Sequence, residues 1–186
     1  VGNYALDALT SGDDNVAVGY DAMTANTTGG ANVAVGAYAL DTNSTGDNNV
    51  AVGKVALGAN TTGAGNTAVG YASLDANTTA DNNTAVGLRA LSANTTGATN
   101  TAVGMNALIL NSTAEYNTGI GAYALAATTT GSYNTALGRS AGLAITTGTR
   151  NIAIGVDTLK AVTTGVDNTA VGTNAASATT GDNNVA

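Results

Sequence analysis

Small and bulky residues alternate in short segments that recur along the chain at a fixed spacing. Segments such as Val50-Ala51-Val52-Gly53 and Ile152-Ala153-Ile154-Gly155 place a β-branched side chain at every second residue, which is typical of a β-strand. The glycines that end these segments recur with one constant 17-residue interval: Gly2, Gly19, Gly36, Gly53, Gly70, Gly87, Gly104, Gly121, Gly138, Gly155 and Gly172. The chain is therefore an array of one repeated unit.

From Gly19 onward an asparagine precedes each of these glycines by four residues, and we number the 17 positions of a unit from it. The consensus is N-[TV]-A-V-G-x-x-A-L-x-A-N-T-T-G-x-x. Positions 8 and 9, for example Ala39-Leu40, predict a second short strand, and the Asn-Thr-Thr-Gly segment predicts a turn. The sequence thus predicts an all-β protein, a parallel β-solenoid of 11 coils in which each coil is one 17-residue unit. We expect one array over residues 1–186, cut from a longer array and uncapped at both ends.

Stacked coils place like residues in ladders. One unit supplies the expected ladder residues Asn49, Val50, Val52, Gly53, Leu57 and Thr62. We expect the asparagines to bond side chain to side chain, and the valines and leucines to fill the interior. The Ala/Gly face of the strand is then open to the approach of another chain. Because the core is thin, we expect self-association, as a homotrimer around a threefold axis or as a filament.

Composition limits the chemistry. The chain has no Cys and no His, and its net charge is -7, with only 5 Lys and Arg. The acidic balance argues against binding nucleic acid or an anionic membrane surface, and no apolar run is long enough to span a bilayer. The basic residues lie at different unit positions without paired carboxylates in register. We therefore expect no enzymatic activity, no cofactor and no metal.

The run Asn48-Asn49-Val50-Ala51-Val52-Gly53 resembles the NSVAIG motif of the YadA-like head of trimeric autotransporter adhesins. The whole unit is also similar to the NTAVGYQAL…NTTG repeats of bacterial and phage tail-fibre-like proteins. The resemblance implies a left-handed β-roll, three intertwined chains, and an extracellular location on a cell surface or virion fibre. The autotransporter head repeat is usually slightly shorter than this unit. The expected function is a structural fibre or stalk segment that extends and presents a binding domain.

An adhesin head that binds a host-surface protein or glycan is the alternative. Positions 6 and 7 vary most, which predicts outward loops; the possible ligand contacts there are Tyr20, Tyr38, Tyr71, Arg89 and Tyr123. Aromatic side chains supply rigid contact area, but a tolerant surface turn explains the same variability.

Three further patterns have both a structural and a functional interpretation. Acids recur at position 16 of alternate units (Asp13, Asp47, Asp81 and Glu115), which indicates avoidance of like-charge stacking or a calcium site shared between chains. Asn-x-Thr sequons in register at Asn26, Asn43, Asn60, Asn77, Asn94 and Asn111 indicate a turn motif or glycan acceptors. The threonines at position 14 suggest ice binding as a minor alternative, although adjacent threonines followed by glycine favour a turn.

Overall fold

Each alternating segment forms a three-residue strand, and ten such strands lie side by side in one parallel sheet. The computed structural model describes residues 1–186 and contains no helix. The strands are β1 (Val16–Val18), β2 (Val33–Val35), β3 (Val50–Val52), β4 (Thr67–Val69), β5 (Thr84–Val86), β6 (Thr101–Val103), β7 (Thr118–Ile120), β8 (Thr135–Leu137), β9 (Ile152–Ile154) and β10 (Thr169–Val171).

The register follows the repeat. Each strand pairs in parallel with the strand of the next unit, so that Val16 lies opposite Val33 and Ala17 opposite Ala34. Identical unit positions therefore lie next to one another along the sheet, and the chain winds as a β-solenoid with nine 17-residue turns between β1 and β10. The predicted all-β solenoid is confirmed.

The orientation of the strand differs from the prediction. Position 3 faces inward and is buried in every strand, whereas the bulky residues at positions 2 and 4 point outward. The interior is too narrow for a larger side chain: a Cβ at Gly119 would lie 3.4 Å from Cγ and Cδ1 of Leu108 on the preceding coil. The expectation of valine ladders in the interior, Val50 and Val52 among them, is therefore wrong, as is that of an open Ala/Gly face.

The segment at positions 8 and 9 contributes to the core without forming the predicted second strand. Residues at positions 7 and 9 adopt left-handed backbone angles, for example φ 54° at both Val55 and Leu57. Leu57 is nevertheless fully buried, and its amide donates to the carbonyl of Ser73 on the next coil at 3.0 Å. The leucine ladder in the interior is confirmed, and hydrogen bonds between coils continue well beyond the strands.

Two ladders of asparagine complete the interior. At position 12, Nδ2 of Asn60 donates both to Oδ1 of Asn43 (2.9 Å) and to the carbonyl of Gly63 (2.9 Å). At position 1, Oδ1 of Asn49 accepts from the backbone amide of Asn66 at 2.9 Å. These side chains are fully buried, and the predicted side-chain ladder is confirmed. The position-1 ladder continues to Asn168, and the position-12 ladder runs from Asn26 to Asn111, so that the coils up to Asn111 share one polar lining.

Candidate functional site

The variable positions 6 and 7 follow the glycine that ends each strand. At Gly36 the backbone has φ 135°, and a Cβ there would lie 2.6 Å from both C and O of Gly53 on the next coil. Only glycine allows this close approach, and it turns the next two residues away from the strand. The predicted contact residues Tyr20, Tyr38, Tyr71, Arg89 and Tyr123 are all exposed.

A tyrosine patch lies at the end of the solenoid nearest residue 1, and it consists of Tyr4, Tyr20 and Tyr38 on three successive coils. The rings of Tyr4 and Tyr20 are 6.1 Å apart and those of Tyr20 and Tyr38 are 5.5 Å apart, both edge to face. Such pairs are favoured beyond the area that they bury. Tyr4 was not among the predicted contact residues, although it occupies position 7, as Tyr38 does.

The expected tyrosine stripe does not extend along the whole molecule. Tyr71 is 53 % exposed and Tyr123 is 39 % exposed, and neither ring pairs with another aromatic ring. Tyr38, Tyr71 and Tyr123 lie at least two coils apart from one another, so their rings cannot make adjacent contacts. The structure therefore brings together only Tyr20 and Tyr38 of the five predicted residues.

Negative charge lies beside the tyrosine patch. The carboxylate of Asp21 raises the pKa of the Tyr20 phenol, and Tyr38 and burial add to the effect. Burial raises the pKa of Asp41, with a smaller contribution from the charge of Asp21. The patch thus combines aromatic faces, a phenol that remains a hydrogen-bond donor, and carboxylate acceptors. This set suits a neutral polyhydroxylated ligand or a cation better than an anion.

A second group of aromatic residues lies at position 17. Tyr116 and Tyr133 stack with their ring centroids 5.1 Å apart and their planes 8° from parallel. The same row continues with Arg150, which donates from Nε and Nη2 to the carboxylate of Asp167 at 2.6 and 3.0 Å. These hydrogen bonds lower the pKa of Asp167. Both tyrosines directly precede the first asparagine of a unit, and this recurrence could have identified them in the sequence.

Two of the four alternating acids at position 16 have a structural partner. Oδ1 of Asp47 accepts from the backbone amide of Gly30 at 2.7 Å, and Oδ1 of Asp81 accepts from that of Ala64 at 2.7 Å. Asp47 and Asp81 therefore each bond to the amide of the neutral residue at position 16 of the preceding coil. No group of three or more acidic side chains is arranged to hold a metal ion.

The sequon asparagines are the fully buried position-12 ladder residues, from Asn26 to Asn111. In the two outermost, Nδ2 of Asn26 donates to the carbonyl of Gly29 and that of Asn111 to the carbonyl of Ala114. A glycan cannot be attached to these amides without opening the core. The pattern is thus explained by a turn and a ladder.

The threonines at position 14, including Thr62, are exposed and form a single row at a bend of the coil. At position 13 the hydroxyl instead donates to the next coil, as from Thr61 to the carbonyl of Thr78 at 2.9 Å. The position-14 row thus lies at a corner of the solenoid, in line with the predicted turn.

No helix of sufficient length and apolar character to cross a membrane is present. Comparisons with protein-family models, with curated proteins and with solved structures give no match for this chain.

Proposed function

We propose that this chain is a structural rod, a fibre or stalk segment that extends and presents a binding domain at a cell or virion surface. The observation that supports the proposal is the unbroken repetition of one set of contacts over nine turns, from β1 to β10. At about 4.8 Å per turn the sheet is about 43 Å long. The motif resemblance supports the extracellular location and the association of the chain with further copies of itself.

The regular interior favours a rigid rod over a chain of hinged domains. Backbone hydrogen bonds between coils occur at the strand, at positions 9 and 11 and at the threonine turn, as shown by Val50 to Asn66 (2.8 Å), Ala59 to Asp75 (2.9 Å) and Thr61 to Thr78 (2.8 Å). The chain forms 115 backbone–backbone hydrogen bonds, and 97 of these lie outside the regular elements. Bending the rod at any one coil would break several of them together, because they surround the coil.

Deletion of a whole unit tests the proposal. Removing residues 83–99 joins two coils at equivalent positions, so the fold is retained and the rod shortens by about 4.8 Å; removing two units shortens it by about 10 Å. The length is measured by small-angle scattering or by electron microscopy with marker domains fused at both ends. Deletion of residues 83–91 is the control, because it breaks the register and must disrupt the fold. Global unfolding after the one-unit deletion would contradict the proposal.

The tyrosine patch supports a second candidate function, in which the solenoid itself binds a host-surface ligand. Exposed aromatic rings beside carboxylates favour a neutral glycan among the possible ligands. A panel of neutral and acidic immobilised oligosaccharides, together with cell-surface proteins, tests this. Tyr20→Ala and Tyr38→Ala should each weaken binding at least about 10-fold, as expected for an aromatic anchor. The control Tyr71→Ala, which removes an exposed but isolated ring, should leave the binding affinity unchanged. An equal loss of affinity in all three variants would contradict a binding site at the tyrosine patch.

A further inference from the structure

The outward side of the parallel sheet is an uncharged surface with an unbroken aliphatic row at position 4 and a row at position 2 that contains six threonines. We call it the sheet face, and it consists of the position-2 and position-4 side chains of β1 to β10. Every position-4 residue is Val, Ile or Leu, and every position-2 residue is Val, Ile or Thr. Seven of the aliphatic side chains are 36–59 % exposed, namely Val16, Val18, Val35, Ile120, Leu137, Ile152 and Val171, whereas Val52, Val69, Val86 and Val103 at the centre are half-buried. Exposed apolar patches of this kind mark interaction sites.

The sheet face carries no charge. None of its 20 positions holds Asp, Glu, Lys or Arg, although the chain has 12 acidic and 5 basic residues. The acidic side chains lie at other unit positions, such as Asp47 and Asp81 at position 16 and Asp41 and Asp75 at position 10. Two copies of this acidic chain can therefore meet at the sheet face without bringing like charges together. The sheet face also offers no charged side chain with which a charged partner could form an ion pair.

The rest of the fold covers only one side of the sheet. Parallel sheets are normally buried on both faces. Here the inner face is covered, because the position-3 alanines pack inside the coil against leucines such as Leu108. The outer face has no covering element within the chain. A partner that packs on it completes the burial that parallel sheets normally have.

The spacing of the side chains identifies the partner. The methyl groups of the sheet face repeat once per coil, at about 4.8 Å, along ten rungs. Only a surface with the same repeat keeps its side chains interdigitated along this whole length, as identical sheets do in dry zippers. The face is about 43 Å long and about 10 Å wide, so two copies together bury about 860 Å². This area is that of a small, weak interface, so association should depend on concentration.

We propose that the sheet face packs against the sheet face of a second copy of this chain. The proposal rests on the proposed rod function, and it names the partner with which the rod associates, a second copy of the same chain. It also reverses the assignment made from the sequence, in which the Ala/Gly side of the strand received the neighbouring chain.

Placing charge at the centre of the face tests the interface. The mass of the full chain is measured by light scattering and by analytical ultracentrifugation over a range of concentrations. The wild-type chain should associate, and Val69→Lys, Val86→Lys and Val103→Lys should each raise the dissociation constant at least about 10-fold. Leu88→Lys is the matched control, because Leu88 is 45 % exposed at position 6, off the sheet face. Circular dichroism establishes that each variant remains folded.

A crosslinking variant covers the case in which the lysine variants fail to fold. The chain has no cysteine, so Val86→Cys introduces a single thiol at the centre of the face with little change in volume. A short bis-maleimide should couple two Val86→Cys chains, and it should couple Leu88→Cys chains at least about 10-fold less. Equal coupling, a wild-type chain that stays monomeric, or lysine variants that associate normally would overturn the proposal.

Two outcomes separate the alternatives. A monomeric wild-type chain with thermal hysteresis that Val86→Lys removes would assign the face to ice instead and overturn the contact between copies. A monomer whose length still follows the number of units would overturn this interface and leave the rod function standing. Collapse of the one-unit deletion would contradict the rod function independently of association.

Discussion

Asn77→Ala is the substitution that most directly tests the asparagine ladder. The Nδ2 of Asn77 donates to Oδ1 of Asn60 at 2.8 Å and to the carbonyl of Ala80 at 3.0 Å, and its Oδ1 accepts from Nδ2 of Asn94 at 3.0 Å. All three asparagines are fully buried. The alanine variant removes three hydrogen bonds from an interior that water does not reach.

The cost depends on which groups remain without partners. The carbonyl of Ala80 keeps its hydrogen bond from Nδ2 of Asn66 at 2.8 Å, and Nδ2 of Asn94 keeps the carbonyl of Gly97 at 2.9 Å. Oδ1 of Asn60 loses its donor from the position-12 ladder. The lost bonds contribute about 1 kcal/mol each, and leaving a buried acceptor unpaired costs about 1–3 kcal/mol. We therefore expect the free energy of unfolding to fall by about 4–6 kcal/mol.

Urea denaturation followed by circular dichroism measures this loss. The control is Thr79→Ala, two residues further along the same coil, where the side chain is exposed and makes no hydrogen bond within the chain; its effect should stay within about 0.5 kcal/mol. A loss of less than about 1 kcal/mol for Asn77→Ala, or one no greater than that of Thr79→Ala, would contradict a stabilising asparagine ladder.

The chain itself shows that position 12 can hold residues other than asparagine, two of them apolar, where no neighbouring asparagine is left without a hydrogen-bond partner. Position 12 is filled by Thr128, Ile145 and Val162 in three successive coils beyond Asn111, and all three are fully buried. Replacing both members of a hydrogen-bonded pair by apolar groups is nearly neutral, whereas removing one member is costly. The local loss at Asn77 should therefore exceed that of a matched change at Val162.

Three further predictions concern charge and backbone. Asn77→Asp places a carboxyl group in the buried ladder, where burial raises its pKa. This variant should therefore be least stable at neutral pH, and its stability should recover as the pH falls through the raised pKa. Urea unfolding at several pH values measures this change. Burial raises the pKa of Asp75, so the stabilising contribution of this residue is fully present only below the unfolded pKa of about 3.9 and is lost as the pH rises through the folded pKa. The Asp75→Asn variant should therefore be more stable than the wild-type chain at pH 7 but not at pH 3. The control Asp7→Asn, at an exposed site, should gain no stability at either pH. Gly87→Ala should lower the free energy of unfolding by at least about 2 kcal/mol in thermal denaturation, because φ at Gly87 is 134° and the new Cβ would lie 2.6 Å from O of Gly104. The control Gly58→Ala, whose Cβ would have its nearest contacts at 3.4 Å, should be nearly neutral. Equal effects of the two substitutions would contradict the close packing of coils.

The sequence predicted the parts of the site that depend only on recurrence. Tyr20 and Tyr38 were recognised because they stand at variable positions on successive coils, and the structure places their rings in contact. Tyr116 and Tyr133 were missed because position 17 was not considered as a surface row. The hydrogen bond from the backbone amide of Gly30 to Asp47 could not be predicted, because it depends on where a free amide of the neighbouring coil points.

The 17-residue period by itself determined the fold class, the parallel register and the ladders of like residues, because a constant spacing of identical residues allows every coil to make the same contacts. Only the tertiary structure decided which side of each strand faces inward. In a segment such as Val-Ala-Val the alternation is the same for either orientation, and the choice was made by the interior, where the leucine and asparagine ladders leave room for Ala102 but not for Val103. The bulky residues were thereby placed on the surface, where they form the sheet face.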